Sequence, residues 1–363
     1  MPNLLDIETV ALDDHDSAIV IIDQTKLPGK METVSLHTQK EIWNAIYTLM
    51  VRGAPAIGDT AAMAYYLAAK GHITENPEIT AEELSRALEA DKAYLASSRP
   101  TAVNLFWALD RMERVCRAVS QKSNPEILER LRAECEEIKA EDIRVCLAIG
   151  EYGLSVLKPG DGVLTHCNAG QLATAKYGTA TAPIYLAQQR GYGLRVFCDE
   201  TRPLLQGARL TAAELHSAGV DVTVICDNMS ASVMQRGWVN AVFVGCDRVA
   251  ANGDTANKIG TCVAACVAKQ YGVPVYICAP TSTIDMQCAT GADIPIEQRK
   301  PEEVTELWYR ERMAPEGVKV YNPAFDVTDH TMIAGIITEY GIARPPFTPD
   351  FERFFAEKEA VHV

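Results

Sequence analysis

One of the eleven cysteines occupies a chemically unusual position. Cys167 follows a short apolar run, Gly162 to His166, and lies among small polar residues and glycine. In such a segment backbone N–H groups can reach a ligand and favour the reactive thiolate form of a cysteine. A buried, inert thiol is the alternative, and it suits the other cysteines better than Cys167. Cys167 is therefore our first candidate for a catalytic residue.

A carboxylate follows another apolar run. Asp247 comes directly after Ala241 to Cys246, and a carboxylate buried there costs free energy unless it is paired or protonated. Either state would suit acid–base catalysis. A helix cap or an ion pair with Arg248 explains the same spacing equally well, so both interpretations of Asp247 stay open.

Two segments could bind an anion. Asn257 to Thr261 is predicted to open a helix, so that N–H groups, the helix dipole and Lys258 would converge on a phosphate. It is not a Walker A loop, and no Gly-x-Gly-x-x-Gly follows the first predicted strand, which disfavours the usual nucleotide sites. Arg52 to Gly58 is a second glycine-containing turn before a predicted helix, but such turns are common and indicate little by themselves.

The elements that position these residues change character near residue 150. From Lys158 onward short apolar runs alternate with helical patterns, which predicts βαβ units and a parallel sheet covered on both faces. Polar residues follow four of the predicted strands, and ligands of such sheets bind beyond the carboxyl ends of the strands. The predicted strands are 162–166, 195–198, 222–226, 241–244 and 275–278.

The first part of the chain is mostly helical in pattern after a short opening with strand character at 18–23. Thr80 and Glu83 have capping-box spacing at one predicted helix start. The predicted helices are 38–50, 58–69, 80–97, 102–119 and 125–150. We therefore predict an α/β protein with a mainly helical N-terminal domain, residues 1–150, and a Rossmann-like parallel-sheet domain, residues 151–363.

Composition excludes several classes of protein. A net charge of -14 and a pI near 5.0 have the wrong sign for binding a phosphate backbone, so we expect no nucleic-acid partner. No apolar run approaches a membrane span, and the N-terminus lacks the pattern of a secretory signal, which predicts a cytosolic protein. The odd cysteine count and the absence of Cys-x-x-Cys predict reduced thiols and no metal site. The phenylalanine-rich segment 344–355 is predicted to pack on its own domain or on a partner subunit.

Seven ordered segments together resemble the methylthioribose-1-phosphate isomerase family, relatives of the regulatory α, β and δ subunits of initiation factor 2B. The resemblance covers nearly the whole chain. The segments are RGAPAIG (52–58), RPTAVNLFWAL (99–109), THCNAG (165–170), ETRPLLQGARL (200–210), DNM (227–229), DRVAANGDTANKIG (247–260) and NPAFDVT (322–328).

The resemblance implies an aldose–ketose isomerase of methionine salvage that acts on a sugar phosphate, needs no cofactor and forms a homodimer. It makes Cys167 and Asp247 the catalytic pair. The residues that match substrate-binding positions of the family are Arg52, Gly53, Ala54, Arg99, Gln206, Asn257 and Lys258. Two departures lie beside the motifs: Cys246 stands where alanine is expected, and Cys288 lies in a later loop. A thiol beside Asp247 predicts sensitivity to oxidation.

Two other functions compete with this interpretation. A related isomerase could act on another ribose 1-phosphate, such as 5-deoxyribose 1-phosphate or ribose 1,5-bisphosphate, although a second phosphate would require more basic residues. A non-catalytic regulatory subunit related to initiation factor 2B could bind sugar phosphates or nucleotides. The presence of both Cys167 and Asp247 argues against the regulatory subunit, which has no need of a thiol and a carboxylate in one cleft.

Overall fold

A computed structural model describes residues 2–100 and 102–361. The chain divides into two compact units, one comprising Met1–Arg144 and Gln171–Gly178 and the other Val145–Gly170 and Thr179–Val363. The mixed α/β architecture predicted from the sequence is confirmed. Among the described residues, no helix combines the length and the apolar character that crossing a membrane requires.

The N-terminal unit joins a small antiparallel sheet to a set of helices. Its strands pair in the order β1-β2-β3, and they are β1 (Val10–Asp13), β2 (Ala18–Ile22) and β3 (Thr33–Leu36). The helices are α1 (Gln39–Tyr47), α2 (Ala54–Glu75), α3 (Ala81–Ala96) and α4 (Val103–Ala118), and α5 (Asn124–Leu154) follows them, with the division between the units falling within it.

Helix α2 forms the centre of this unit because its sequence is apolar or small on nearly every side. All residues from Ala56 to Ala69 are buried, which is typical of a helix enclosed by others rather than one with a solvent face. It packs against α3 and α4. The predicted capping box is confirmed at the start of α3, where the Thr80 hydroxyl accepts from Glu83 N–H and the Glu83 carboxylate accepts from Thr80 N–H.

The C-terminal unit is built on a seven-stranded sheet. Its strands run in the order β14-β13-β10-β7-β4-β5-β6, and all adjacent pairs are parallel except β13 with β14. The strands are β4 (Gly162–Thr165), β5 (Arg195–Asp199), β6 (Asp221–Ile225), β7 (Ala241–Val244), β10 (Val275–Cys278), β13 (Gly335–Thr338) and β14 (Gly341–Ala343). The helices of this unit are α6 (Ala182–Gln189), α7 (Ala212–Ser217), α8 (Ser230–Gln235), α9 (Thr261–Tyr271), α10 (Glu302–Thr305) and α11 (Thr348–Val361).

A second, four-stranded sheet in this unit was not predicted. Its strands pair in the order β11-β8-β9-β12, and they are β8 (Arg248–Ala250), β9 (Thr255–Lys258), β11 (Ile284–Asp285) and β12 (Phe325–Thr328). Each strand has only two to four residues and mixes polar with apolar side chains. Such short segments carry almost no periodic signal, which explains why sequence patterns did not reveal them.

The phenylalanine-rich segment packs on its own unit. Phe347, Phe351 and Phe354 are each at most 1% exposed and belong to the same core as the sheet strands. A Cβ atom placed on Gly253 would lie 2.2 Å from the Phe347 ring, so the ring lies directly against the backbone of the segment between β8 and β9. Of the two predicted alternatives for this segment, packing on its own domain is confirmed.

Residues Gln171–Gly178 group with the N-terminal unit although they follow β4. The side-chain amide of Gln171 donates to the carbonyl oxygen of Ile7 at 2.7 Å, and the Leu172 carbonyl oxygen accepts from Gln24 Nε2 at 2.7 Å. The Ala175 N–H donates to the Asp142 carboxylate at 2.6 Å. These non-local hydrogen bonds cannot be read from a sequence pattern.

Candidate active site

Four neighbouring strands direct polar segments to one edge of the large sheet. Strands β7, β4, β5 and β6 are adjacent and parallel, so their carboxyl ends point the same way. Cys167 lies two residues beyond the end of β4, and Asp247 lies three residues beyond the end of β7. The register pairs Leu164 with Val242, so the two predicted catalytic residues follow the ends of adjacent strands. Ligands of open parallel sheets bind at such an edge.

The backbone of Cys167 is held in an uncommon conformation. Its φ is +66°, a left-handed value that residues other than glycine rarely adopt. The Cys167 N–H donates to Thr201 Oγ1 at 2.8 Å, and its carbonyl oxygen accepts from the Thr211 hydroxyl at 2.6 Å. The residue itself is 9% exposed. Left-handed conformations of this kind are concentrated at functional sites, which supports the choice of Cys167.

Asp247 lies in a different environment from the one predicted. The residue is exposed rather than desolvated, and its N–H donates to the carbonyl oxygen of Ala256 at 2.9 Å. It does not cap a helix, because β8 follows it directly. Arg248 directs its guanidinium to Asp285 at 3.3 Å. The expected burial of Asp247 is therefore wrong, while its role in acid–base chemistry stays a prediction.

Cys246 beside Asp247 is a poor target for oxidation. Burial raises the pKa of its thiol to about 12, and the nearby charge of Asp247 acts in the same direction. Its Sγ lies 3.5 Å from Thr283 Oγ1. Because the thiolate is the form that oxidants attack, the predicted sensitivity of this thiol is not supported. Among the described residues, no cysteine is joined in a disulfide.

Gln206 presents a buried amide oxygen. The residue is 6% exposed, and its Oε1 has no hydrogen-bond partner within the described part of the chain. It immediately precedes a π-helical turn, Gly207–Thr211, whose first residue lies so close to the Asp199 carbonyl oxygen that a Cβ atom would approach within 1.8 Å. A buried acceptor without a donor costs free energy unless a ligand supplies the donor. This observation supports the prediction that Gln206 binds a substrate hydroxyl.

The segment from Asn257 to Gly260 does not open a helix. Asn257 and Lys258 lie in β9, and α9 begins only at Thr261. The N–H groups of Gly260 and Cys262, at the start of α9, donate to the Asp326 carboxylate at 2.7 and 3.1 Å. The helix terminus already has its anion, so the predicted phosphate site at this terminus is wrong.

That the side chains of Asn257 and Lys258 contact substrate stays a prediction. Asn257 is buried, and its Nδ2 donates to Thr261 Oγ1 at 2.9 Å. The Lys258 ammonium donates to the Ala324 carbonyl oxygen at 2.9 Å and lies 4.4 Å from the centre of the Phe325 ring. These contacts hold the Lys258 ammonium in one orientation.

In the N-terminal unit, three of the predicted substrate residues lie at the start of α2. Gly53 is the residue before the helix, with φ of +92°, and a Cβ atom there would lie 2.4 Å from the Cα of Ala173. Glycine is therefore required by both conformation and space. Ala54 is the first helical residue, and Arg52 is half-buried. Arg99 is also half-buried and follows the end of α3.

His166, which sequence reasoning missed, is enclosed at the same edge of the sheet. Its side chain is fully buried, Nδ1 lies 3.0 Å from Asp199 Oδ2, and Nε2 lies 2.8 Å from the Ile259 carbonyl oxygen. Asp199 also accepts from the Ser230 hydroxyl at 2.8 Å. The only signal for this histidine in the sequence was its position beside Cys167 at the end of a strand.

The titration of His166 and Asp199 reflects burial and mutual attraction. Burial favours the neutral imidazole, but the hydrogen bond to Asp199 and the charges of Asp199 and Asp227 outweigh it and raise the pKa of His166. Burial also raises the pKa of Asp199, although the hydrogen bond and charge of His166 oppose that shift.

Two groups of side chains have the composition of metal ligands. In both groups, nitrogen and oxygen atoms that could bind a metal already take part in hydrogen bonds within the chain. The first group is His166, Asp199 and Asp227. His166 bonds through both ring nitrogens, and the Asp227 oxygens accept N–H bonds from Thr201 and Arg202 at 2.7 and 2.8 Å. The prediction that the site uses no metal stays a prediction.

The second group, Asp254, Asp329 and His330, is a connection between loops. Asp254 Oδ1 accepts from both the N–H and Nδ1 of His330, and Oδ2 accepts from Asn252 and Gly291. Burial opposes the effect, but these hydrogen bonds lower the pKa of Asp254 to about 2. Its carboxylate joins three loop segments through bonds that saturate its oxygens.

Comparison with known proteins gives matches over nearly the full chain. Residues 50–345 match the profile described as the Initiation factor 2 subunit family. The chain is 65% identical over 353 residues to a methylthioribose-1-phosphate isomerase of Symbiobacterium thermophilum, covering 97% of each chain. It is 53% identical to a 5-deoxyribose 1-phosphate isomerase of Clostridium botulinum, covering 94% of this chain and 97% of the other.

A solved structure has the same fold over almost the entire length. The crystal structure of a 5-methylthioribose 1-phosphate isomerase from Pyrococcus horikoshii superposes with a TM-score of 0.90 at 42% identity, covering 98% of this chain and 96% of that one. Both units of the chain are therefore present in the relative.

Proposed function

Since the chain belongs to the initiation factor 2 subunit family, we propose that it is the member of that family which converts 5-methylthio-D-ribose 1-phosphate into 5-methylthio-D-ribulose 1-phosphate in methionine salvage. The observation that carries this proposal is the 65% identity, over 97% of both chains, to a relative named for that reaction. The reaction is an aldose–ketose isomerisation, and we propose that it proceeds without a cofactor.

The substrate makes this isomerisation chemically demanding. Its anomeric carbon carries the phosphate, so there is no free aldehyde from which an enediol could form. The ring must open first, with an acid protonating the ring oxygen while the phosphate stays attached. A proton must then move from C2 to C1, and two proton-transfer groups at one site meet both requirements.

We assign Asp247 to proton transfer at the ring oxygen and Cys167 to the transfer from C2 to C1 or to the stabilisation of its transition state. The placement of both residues beyond the ends of β7 and β4 supports this pairing, and the exposure of Asp247 leaves its carboxylate accessible to substrate. A direct hydride shift from C2 to C1 is the competing route. In deuterated water, proton transfer predicts deuterium at C1 of the ketose, whereas a hydride shift predicts none at any conversion.

We further propose that the substrate is oriented by the remaining predicted contacts. The buried Oε1 of Gln206 supports acceptance of a hydrogen bond from a sugar hydroxyl. Lys258 and the two arginines, Arg52 and Arg99, would make charge-assisted bonds to the phosphate, which are stronger than neutral ones. For the residues of the N-terminal unit this assignment rests on the family resemblance.

A second candidate substrate is 5-deoxyribose 1-phosphate, because a relative named for it is 53% identical. The two sugars differ only in the methylthio group at C5. Purified protein should be supplied with ribose 1-phosphates that carry methylthio, hydrogen, hydroxyl or phosphate at C5, and ketose formation followed by NMR. If kcat/KM is highest for the methylthio sugar, the proposal is supported. If kcat/KM is highest for the 5-deoxy sugar, 5-deoxyribose 1-phosphate is the substrate instead.

We propose that the chain forms a homodimer in the cytosol. The edge strand β6 supports the homodimer, since it presents Val224 at 47% exposure and Met229, which follows the strand, is equally exposed. An exposed edge strand with apolar side chains favours association. Light scattering at the elution peak should give twice the chain mass of 39.6 kDa, and cell fractionation tests the location.

A further inference from the structure

The ring of His166 meets acceptors at both nitrogens. On one side lies the carbonyl oxygen of Ile259, 2.8 Å from Nε2, and a carbonyl can only accept. Nε2 must therefore carry a hydrogen. On the other side lies Asp199 Oδ2, 3.0 Å from Nδ1. With Asp199 ionised, Nδ1 must carry a hydrogen as well, which makes the ring an imidazolium.

The charges around the ring favour that state. The charged groups that act on it are three carboxylates on three elements: Asp199 at the end of β5, Asp227 after β6 and Asp326 in β12. Asp199 also accepts from the Ser230 hydroxyl, which favours its ionised form. A buried cation among carboxylates retains its proton to a higher pH than an ordinary histidine does.

The same ring connects the segments that carry the predicted catalytic and substrate residues. His166 immediately precedes Cys167 in the chain, and its partner Ile259 immediately follows Lys258. The ring also lies directly against Gly260, where a Cβ atom would come within 2.6 Å of Cε1. The hydrogen bonds of one side chain thus fix the end of β4 relative to β5 and to the turn after β9.

We propose that His166 is held as an imidazolium through both ring nitrogens and acts as a positioning residue for Cys167 and for Asn257 and Lys258. Its part in positioning rests on the isomerase function proposed above. The protonation state does not, because it follows from the fold alone. His166 has no path to substrate in this arrangement, since both nitrogens are engaged and the side chain is fully buried.

The protonation state is tested on the intact wild-type protein with ¹⁵N-labelled histidine. His166 is assigned by the signal lost in His166→Gln. We expect both ring nitrogens to remain protonated from about pH 6 to about pH 8, where an ordinary histidine becomes neutral. A neutral ring at about pH 7, with one nitrogen lacking a hydrogen, overturns the proposal whatever the activity.

The positioning role is tested by Asp199→Asn, which retains the shape of Asp199 and removes its charge. The ring should then lose its proton near neutral pH, and kcat should fall by about tenfold or more between about pH 6 and about pH 8 while the wild type changes little across that range. Ser230→Ala keeps the Asp199 charge and should retain the imidazolium signal. His72→Gln, which breaks the histidine–carboxylate pair of His72 with Asp91 far from this network in the chain, is the matched control and should leave the profile unchanged.

The experiments test the protonation state of His166 and its positioning role separately. An Asp199→Asn variant that loses the imidazolium signal but keeps the wild-type pH profile overturns the positioning role. If Asp199→Asn does not fold, the pH profile and signal of Ser230→Ala, together with the wild-type spectrum, still decide the protonation state. An imidazolium in a wild-type protein without isomerase activity would refute the proposed function and leave the protonation state standing.

Discussion

The backbone N–H of Cys167 donates to the Thr201 hydroxyl at 2.8 Å, so the ends of two adjacent strands are joined at the predicted catalytic thiol. The Thr201 hydroxyl in turn donates to the Asp199 carbonyl oxygen at 3.1 Å, and the Thr201 N–H donates to Asp227 at 2.7 Å. Thr201 also has a left-handed φ of +66°. The conformation of Cys167 therefore depends on a residue 34 positions later in the chain.

Replacing Thr201 by valine should remove the hydrogen bond that holds the backbone of Cys167 in place. Thr201→Val keeps the volume but leaves the Cys167 N–H without its acceptor, at a cost of about 1–3 kcal/mol in the free energy of unfolding. We expect a lower unfolding midpoint and a kcat reduced by about tenfold. Thr201→Ser keeps the acceptor and should retain most of the activity. Wild-type stability and kcat in Thr201→Val would contradict this account.

Removing the thiol of Cys167 should abolish most turnover. Cys167→Ser is expected to lower kcat by at least about a hundredfold, the usual scale for losing a proton-transfer group, while substrate still binds by calorimetry. Cys266→Ser changes an exposed thiol and serves as the matched control. Near-normal kcat in Cys167→Ser would remove Cys167 from the mechanism.

Neutralising Asp247 tests the other half of the pair. Asp247→Asn should lower kcat by at least about a hundredfold with little change in substrate affinity, because the amide cannot exchange a proton with the ring oxygen. Asp16→Asn alters another exposed carboxylate, in the N-terminal unit, and should have no effect. Similar kcat values for both variants would exclude Asp247 as the acid.

Gly260 should tolerate no side chain. Gly260→Ala places a methyl group 2.6 Å from the His166 ring at a φ of +104°, so strain and overlap together should cost roughly 3 kcal/mol. Gly272, at the other end of α9, has a φ of +68° and open space around it. Gly272→Ala therefore reports the cost of the backbone conformation alone, roughly 1–2 kcal/mol. If Gly260→Ala and Gly272→Ala lower the thermal unfolding midpoint equally, the His166 ring moves to make room for the methyl group.

Asp59 should make the N-terminal unit more stable at lower pH. Its side chain is buried in α2, and burial together with the charge of Asp142 raises the pKa of Asp59 well above its ordinary value. The folded state thus binds a proton that the unfolded state releases, so this contribution falls as pH rises from the unfolded pKa through the folded one. Asp59→Asn has no proton to lose and should flatten the dependence of the unfolding midpoint on pH above about pH 4, the ordinary carboxyl pKa. An unchanged slope would show that Asp59 is ionised in the folded protein.

Sequence patterns predicted five of the seven strands of the large sheet because those strands are mostly apolar, whereas the short strands β13 and β14 were not predicted. Residues 241–244 and 275–278 have the predicted limits, and the predicted helices lie within a few residues of those observed except for α2, which is longer at both ends. The predicted start of α2 at Gly58 is wrong, because Pro55 occupies the first turn of the helix and Gly58 is buried within it.

The errors near the site have a common physical origin. Whether Asn257 begins a helix or a strand depends on β12, which pairs with it from about 70 residues later and whose Asp326 satisfies the N–H groups of α9. The exposure of Asp247 and the enclosure of His166 likewise depend on non-local packing. Local composition could identify the sheet edge that carries Cys167 but could not assign the partner of each side chain.

The burial of Phe347, Phe351 and Phe354 constrains how the protein is made. Strands β13 and β14 and these three rings complete the core whose first strand is β4, some 190 residues earlier. During synthesis the apolar face of the sheet stays open until the chain has emerged from the ribosome as far as Phe354, since no earlier segment supplies those rings. Folding of the C-terminal unit is therefore completed after translation of its sheet, and nascent chains halted before that point should require chaperones to remain in solution.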